Sequence, residues 1–411
     1  MRETKRIYLF FGVSILLNMG ANFAHAVTPT IIQQRGFGDY MFGVALAAAM
    51  TANLLFSPFW GQLVSYLSSR RIILICSLGY AVGQAMFGLA NSEGMMIAAR
   101  MFAGIFIGGL FTALLTYLVN TSPDNMRGSH LTVAATVQTV ASAFGYFVGG
   151  MLGEIGTSGA IIAQVVTLAG CGVLFYLVCE DDATSQFREI KPRALFKQTN
   201  PLTAFLAGRR IMTPLLAAMF AVAALASLGS SGFDQSFNYY LKAQLGLSSG
   251  YNGAIKAVIG LVSLAANSTI CLWLIRKTDI RRSTIYVYLL CSCSMLGVVL
   301  LNAAVPFVAA NVIYFGFFAV SVPLTQSLVI GQTKGKDSNL TMGYYNGLKS
   351  LGAIFGALSA GLLYTVNPKW PFVLGFVAFA IATVVVAYHY RLSKRVDAEN
   401  VQGMQDVTLS A

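Results

Sequence analysis

Four charged residues stand inside long apolar stretches of this 411-residue sequence: Arg100, Asp234, Lys256 and Lys349. A charge is costly to place in hydrocarbon, so such residues typically face a protein interior, a partner or a water-filled path. Asp234 is the one carboxylate deep in such a stretch, which makes it the leading candidate for a proton-carrying group. Lys256 or Lys349 could pair with it, and a substrate that disturbed the pair would change its protonation. The alternative is a static ion pair that joins two helices.

Neutral polar side chains recur in the same apolar stretches. Together with Arg100 and Lys349, we interpret them as hydrogen-bonding groups for a small-molecule substrate. His25 can titrate near neutral pH, although a lone histidine is more often a hydrogen-bonded packing residue. The neutral candidates are Asn18, Asn22, His25, Gln138, Asn311, Gln326 and Asn346.

Other chemistries lack their residues in this sequence. The apolar stretches contain no paired carboxylates, no nucleophile beside a base and no metal-ligand spacing, which argues against an enzyme. All six cysteines lie in apolar stretches without CxxC or Cys/His spacing, so we expect neither a metal nor a cofactor. The phosphate-binding pattern GxxxxGK[ST] is missing too, which predicts that any transport is not driven by ATP. A non-transporting sensor would need an output domain, for which no segment is long enough.

The composition explains what surrounds these residues. Hydrophobic residues make up 56% of the chain and charged residues 10%, and the mean hydropathy is +0.69. A soluble domain carries roughly 25% charged residues, so this chain is predicted to lie in a lipid bilayer. The net charge of +12 comes from basic residues placed between the apolar runs. A nucleic-acid binder would cluster them on one soluble face, so we expect no nucleic-acid partner.

Twelve apolar stretches are long enough to cross a hydrocarbon core, which takes about 20 helical residues. Backbone groups in lipid must be satisfied within each segment, so the prediction is an all-α membrane protein. The predicted spans are 7–32, 41–67, 72–90, 95–119, 130–152, 159–179, 212–241, 252–275, 283–303, 306–331, 341–365 and 371–391.

The distribution of Lys and Arg predicts the orientation. Most of the 27 basic residues fall in the loops that lie on the side of the N-terminus, whereas only Arg35, Lys242 and Lys369 fall in the opposite loops. Basic loops stay on the cytoplasmic side, so both termini are predicted to be cytoplasmic, in the cytoplasmic (inner) cell membrane. The basic start of the chain leads into a first span without a cleavage site for a signal peptide.

A polar stretch after the sixth span divides the chain. We expect a six-helix bundle over 1–180, a cytoplasmic linker over 181–210, a second six-helix bundle over 211–395 and a cytoplasmic tail over 396–411. One common offset aligns Arg70 with Arg281, Gly145 with Gly356, and Gln138 with Lys349. Equivalent positions of repeat-related helices converge on a central site in many transporters, so the polar residues are predicted to meet there.

Four local patterns carry a family resemblance. They are GQLVSYLSSRR (61–71), MIAARMFAG (96–104), SPDNMRG (122–128) and ASAFGYFVGG (141–150). Over nearly its full length the chain resembles the major facilitator superfamily, specifically the twelve-span drug:proton antiporter branch. The resemblance implies two pseudo-symmetric six-helix bundles and secondary transport by alternating access.

The resemblance also implies roles for residues in these patterns. Gating is implied for the cytoplasmic loops and for the span-five glycines, and coupling to protons is implied for Arg100. Ser65 replaces the family's usual Asp in the first pattern, which weakens that latch, and Tyr146 replaces the usual proline in the fourth. The gating residues are Gly61, Arg70, Arg71, Arg127, Gly145, Gly149 and Gly150.

Plainer alternatives remain for each of these roles. Arg70 and Arg71 could only anchor the loop on the cytoplasmic side, and Arg100 could reach the outer interface instead of the interior. The glycines could serve helix packing alone. Around Asp234, FDQSF is similar to the span-seven segment of the family's sugar symporters, so Asp234, Arg100 and Lys256 are the candidates for proton coupling.

The function predicted from these features is proton-coupled export of drug-like or amphipathic compounds. The alternative is a proton symporter or facilitator for a polar or anionic nutrient such as a sugar or organic acid. We expect a monomer, because one chain with two halves needs no second copy to enclose a site.

Overall fold

The computed structural model describes residues 2–64, 66–123, 125–182, 212–332 and 337–409. Ser65 and nearly all of the predicted linker 181–210 lie outside these residues. Over the described ranges the chain is helical and contains no β-strand. The prediction of an all-α protein is therefore confirmed.

Twelve helical spans of the described chain are long and apolar enough to cross a membrane, as predicted. Most of their ends differ from the predicted ones by a few residues, because polar residues continue the helices beyond the apolar stretch. The helix of span twelve departs further, since it continues to Leu409 and so includes most of the predicted tail 396–411. Span one consists of two helices, Arg2–Gly20 and Phe23–Gln34. Spans two to six are the helices Met41–Leu63, Ser69–Leu89, Glu93–Thr121, Arg127–Ile155 and Thr157–Val178. Spans seven to twelve are Pro214–Ala243, Ser249–Lys277, Ile280–Leu300, Ala304–Gly331, Asp337–Val366 and Trp370–Leu409.

Span one breaks between Gly20 and Phe23, and neighbouring side chains satisfy the backbone group that the break exposes. The His25 N–H bonds to the Asn22 carbonyl instead of continuing the regular helical pattern. The Ala21 carbonyl accepts hydrogen bonds from Gln164 Nε2 at 2.9 Å and from the Tyr80 hydroxyl at 3.3 Å. Because these donors come from spans six and three, the break is held in place by packing.

A second helical bond of span one is missing because of Pro29. Proline has no N–H, so the carbonyl four residues earlier, that of His25, has no partner within the helix. Asn238 Nδ2 of span seven donates to this carbonyl at 3.1 Å, and Asn252 Nδ2 of span eight donates to the Ala26 carbonyl at 3.3 Å. Asn252 also donates to the Asn238 side chain. The Asn238 amide thus replaces the bond that the proline removes, and Asn252 adds a second bond to the same turn.

Span eight contains one π-helical turn, Asn267–Cys271, between the α-helices Ser249–Ala266 and Leu272–Lys277. Such a turn inserts one extra residue and rotates the following helical face.

Five of the six cysteines are buried, and Cys293 of span nine is exposed.

The chain forms two compact units. The first comprises Met1–Thr203, Gly232–Leu264 and Ala357–Pro371, and the second comprises Ala204–Ser231, Ala265–Gly356 and Phe372–Ala411. The core of the first unit includes Phe10, Leu17, Ile72, Tyr117 and Phe175. A core cluster of the second unit consists of Ala266, Cys271, Val287, Val320 and Leu324. The division into two six-helix domains at the linker stays a prediction.

Glycines bring helices of the first unit into backbone contact. A Cβ added at Gly145 would overlap the Met19 carbonyl oxygen, and one at Gly149 would overlap that of Phe23. Gly150 packs in the same way against the Ser249 carbonyl oxygen. The span-five glycines therefore lie in tight seams with span one and with the start of span eight, where small residues permit close approach.

Candidate substrate site

The first unit contains a cavity of about 310 Å³ to which spans one to five and span seven contribute. Its wall combines amide, imidazole, guanidinium and hydroxyl groups with apolar side chains. Pockets of this kind bind small molecules by apolar contact and take their orientation from a few polar groups. The lining residues are Asn18, Ala21, Asn22, His25, Thr28, Phe42, Ala45, Leu46, Ala49, Met50, Asn53, Tyr80, Arg100, Ala103, Ile107, Phe111, Gln138, Ser142 and Gln235.

Five of the predicted substrate-binding residues meet in this cavity: Asn18, Asn22, His25, Arg100 and Gln138. Asn18 Nδ2 donates to the Ser14 carbonyl and Asn22 Nδ2 donates to the Asn18 carbonyl, each at 2.8 Å. These bonds to the preceding helical turn fix both amides along one face of span one.

Arg100 is the charged residue of the cavity wall. It is only 7% exposed. Its Nη2 donates to Thr28 Oγ1 at 3.2 Å, and its guanidinium carbon lies 3.8 Å from the centroid of the Phe87 ring. Among the described side chains, no carboxylate lies within ion-pair distance of Arg100. A hydroxyl and an aromatic face stabilise the cation, and its charge is not neutralised by them.

Asp234 and Lys256 form an ion pair between spans seven and eight. Lys256 Nζ donates to Asp234 Oδ1, and Gln235 Nε2 lies 3.5 Å from Asp234 Oδ2. The Lys256 side chain is 7% exposed, whereas that of Asp234 is 31% exposed. Gln235 lines the cavity, so one hydrogen bond connects a residue of the cavity wall with the Asp234 carboxylate.

Tyr146 connects the ion pair to the cavity from the other side. Its ring stacks on the His25 imidazole, with centroids 5.8 Å apart and an angle of 27° between the planes. The Lys256 ammonium lies 5.7 Å from the Tyr146 centroid and 5.4 Å from that of Phe237. The ammonium is thus surrounded by one carboxylate and two aromatic rings.

The remaining predicted substrate residues lie in the second unit and do not line this cavity. Asn311 is fully buried, and its Nδ2 donates to the Phe307 carbonyl at 2.7 Å. The Lys349 ammonium lies 5.3 Å from the centroid of the Tyr345 ring. Gln326 is half-buried and Asn346 is exposed. Their part in binding stays a prediction.

The family model described as Major Facilitator Superfamily matches residues 9–319. The chain belongs to this superfamily. A relative from Bacillus subtilis (strain 168), multidrug resistance protein 1, is 23% identical over 390 residues, which cover 92% of each chain. Quinolone resistance protein NorA of Staphylococcus aureus (strain MSSA476) is 20% identical over 244 residues, or 57% of this chain and 58% of that protein.

Solved structures of transporters share the fold of this superfamily member. A bacterial homologue of the human lysosomal transporter Spinster, in an inward-facing and unoccupied conformation, superimposes with a TM-score of 0.74 at 12% identity. The match covers 95% of this chain and 97% of that one. The nucleoside transporter NupG gives a TM-score of 0.70 at 16% identity, over 95% of this chain and 99% of its own. The predicted family and fold class are confirmed, and the chain is a multi-pass membrane transporter.

The superfamily's loop pattern at 61–71 is tied to the end of span six by two carboxylates. Arg70 Nη2 lies 2.6 Å from Asp181 Oδ2, and Arg71 Nη2 lies 3.9 Å from the same oxygen. Asp182 accepts hydrogen bonds from the Ser69 N–H at 2.8 Å and from the Ser69 hydroxyl at 2.5 Å. A carboxylate from a distant part of the chain therefore caps the start of span three.

The other predicted gating residues occupy simpler surroundings. Arg127 Nε donates to the Val119 carbonyl at 3.1 Å and so joins span five to the end of span four. Gly61 is exposed, and a Cβ added there would meet no atom within 4 Å. Its packing therefore does not require glycine.

Sequence reasoning did not propose several residues that shape the site. Gln235, Thr28, Asn53 and Tyr80 line the cavity, yet singly they look like ordinary polar residues of a helix. In the sequence, Tyr146 stands out only as a departure from the superfamily's proline. The available signal is an aromatic residue next to Gly145 in a glycine-rich segment.

Proposed function

We propose that this transporter exports small amphipathic compounds in exchange for protons, with Asp234 as the proton-carrying group. The observation that carries the proposal is the position of Gln235, which lines the cavity and bonds to Asp234. A substrate that donates a hydrogen bond to Gln235 Oε1 holds the Nε2 group against Asp234 and stabilises the ionised carboxylate. Substrate binding then favours release of the proton from Asp234, as exchange requires.

The ion pair supplies the energetic link between the two ligands. Protonation of Asp234 removes the negative charge that the almost fully buried Lys256 ammonium faces in this pair, which is unfavourable. The Tyr146 and Phe237 rings offset a part of that cost. Proton binding therefore favours a rearrangement of spans seven and eight, which is the kind of step that alternating access requires.

The relatives support export rather than uptake. Two of them are named for resistance to multiple drugs and to quinolones. The mixed wall of the cavity fits compounds that have one polar end and an apolar body.

Uptake of an anionic nutrient is the second candidate, and the uncompensated charge of Arg100 favours it. An organic acid entering together with protons would neutralise this guanidinium. The two candidates differ in the direction of proton movement. Export drives protons inward as substrate leaves, whereas symport moves both inward.

The test is transport by the purified full chain in proteoliposomes. Efflux of a preloaded fluorescent quinolone, which carries a carboxylate, should accelerate under an inward proton gradient and should acidify the lumen. Asp234→Asn should abolish the effect of the gradient while probe counterflow continues. The matched control, Asp397→Asn, changes a half-exposed carboxylate that pairs with Arg281 and should keep the gradient effect. Unchanged gradient dependence in Asp234→Asn would remove Asp234 from coupling.

The same proposal includes a monomer in the cytoplasmic membrane, with both termini and the Asp181–Asp182 tie on the cytoplasmic side. Reporter fusions at each terminus of the full chain test the orientation. A reporter that is active only outside the cytoplasm should be silent at both ends. Mass measurement of the protein in nanodiscs tests the monomer.

A further inference from the structure

We propose that the substrate is a single-tailed amphipathic anion whose head binds Arg100 and whose tail fills a second, apolar cavity. This assignment rests on the proposed transport function and narrows its substrate class. Two observations on different parts of the site carry it, the charge balance of the first cavity and the apolar lining of a second cavity beside it.

The charge balance of the first cavity favours an anion. Among the described residues, Arg100 is the one charged residue that lines it, and no acidic residue does. The Asp234–Lys256 pair beside it is neutral as a whole. A guanidinium that is 7% exposed and bonded to one hydroxyl retains donors for a carboxylate or a similar oxyanion.

A cationic substrate is disfavoured in this cavity. Its charge would be placed near Arg100 in a space of low dielectric, where repulsion is screened only weakly. The anion instead converts a buried lone charge into a hydrogen-bonded pair.

A second cavity of about 340 Å³ adjoins the first along spans one, four and five. Asn18, Phe111 and Gln138 line both cavities. Most of the other lining residues are apolar, namely Phe10, Leu114, Leu115, Leu118, Leu131, Ala134 and Ala135. The Ser14 hydroxyl, which also lines it, donates to the Phe10 carbonyl at 2.8 Å. The space therefore suits hydrocarbon better than a polar group.

The distance between Arg100 and the apolar cavity determines the shape of a ligand that occupies both. Eleven residues separate Arg100 from Phe111 on span four, which is about 16 Å of helix at 1.5 Å per residue. A compact anion at Arg100 cannot enter the apolar cavity, and a compact hydrocarbon in that cavity cannot reach Arg100. A flexible chain with an anionic head occupies both.

The test measures binding to the full chain in nanodiscs of phosphatidylcholine, corrected with protein-free discs. Radiolabelled palmitate, butyrate and hexadecyltrimethylammonium are the probes, because a sixteen-carbon tail is long enough to span this distance and the set separates the tail from the sign of the head. Palmitate should bind saturably and much more tightly than butyrate, since each added pair of methylene groups is worth about tenfold in affinity. Hexadecyltrimethylammonium should bind at least about tenfold more weakly than palmitate.

Two variants separate head from tail. Arg100→Gln should weaken palmitate binding by about tenfold or more, and Arg100→Lys should restore a part of it. Ala134→Phe, which fills the apolar cavity, should weaken palmitate binding more than butyrate binding. If Arg100→Gln does not fold, the comparison of probes on the unmodified chain and on Ala134→Phe still decides.

Equal or tighter binding of hexadecyltrimethylammonium would overturn the proposal, and so would an unchanged affinity for palmitate in Arg100→Gln. Quinolone counterflow in proteoliposomes separates this failure from that of the proposed function. Quinolone exchange without palmitate binding contradicts the single-tailed substrate and leaves drug export standing. Absence of exchange and of saturable binding for every probe contradicts both.

Discussion

Asn238 donates its side-chain amide to the main-chain carbonyl of His25, the one helical carbonyl of span one that Pro29 leaves without a partner. The bond attaches span seven to span one at a residue that lines the cavity. Asn238 lies one helical turn after Asp234 on span seven. The same hydrogen bond therefore supports both the cavity wall at His25 and the helix that carries the ion pair.

Asn238→Ala removes this donor and leaves a buried carbonyl unsatisfied. We expect a loss of about 1 to 3 kcal/mol in the free energy of unfolding. The apparent melting temperature of the purified protein measures the loss. Asn302→Ala, at an exposed position beyond span nine, is the control and should melt like the unmodified chain. Equal melting of Asn238→Ala and the control would show that the bond contributes nothing.

Gly145→Leu places a side chain against the Met19 carbonyl of span one. Overpacking of this kind costs about 1 to 3 kcal/mol. If the seam must shift during each cycle, transport in proteoliposomes should fall about tenfold or more. Gly170→Leu is a suitable control, because a Cβ there meets no atom within 4 Å. Normal turnover in Gly145→Leu would mean that the seam is incidental to transport.

Asp182→Ala removes the cap of span three, which should cost about 0.5 to 2 kcal/mol of stability. Asp181→Ala removes the partner of Arg70, and both side chains of that pair are partly exposed, so its loss should cost less. Comparison of the two melting temperatures checks the order. A larger effect of Asp181→Ala would show that the ion pair, rather than the cap, holds the loop.

The two members of the Asp234–Lys256 pair should be unequal in their effect on stability. Asp234→Ala leaves the more deeply buried Lys256 without its carboxylate, whereas Lys256→Ala leaves the more exposed Asp234. The first variant should therefore melt at the lower temperature. The double variant should melt above Asp234→Ala and should still lack proton-driven transport. A double variant that melts below both single ones would contradict the pairing.

Much of the fold was predictable because the bilayer limits a chain to very few solutions. Continuous apolar stretches had to become helices, so twelve spans followed from length and hydropathy. The break in span one did not follow, because Ala21 and Asn22 carry no strong signal for one. It depends on Gln164 and Tyr80, donors that only the packed structure brings to the Ala21 carbonyl.

The site was predictable to a smaller extent. Arg100 and Gln138 could be proposed because polar side chains are costly in lipid and usually face the protein interior. Both line the cavity. Gln235 could not be singled out, since its value comes from touching both the cavity and Asp234. The same polarity argument selected Asn311 and Lys349, which lie in the other unit. Polarity alone does not specify which cavity a residue faces.

The burial of the native cysteines makes this chain convenient for accessibility mapping. Buried thiols are inert toward reagents, and Cys293, the exposed one, lies within a span rather than in a loop. A membrane-impermeant maleimide applied to intact cells should therefore find almost no background. Single cysteines introduced along the cavity wall would then report when each position meets water, and from which side, without any native thiol having to be replaced.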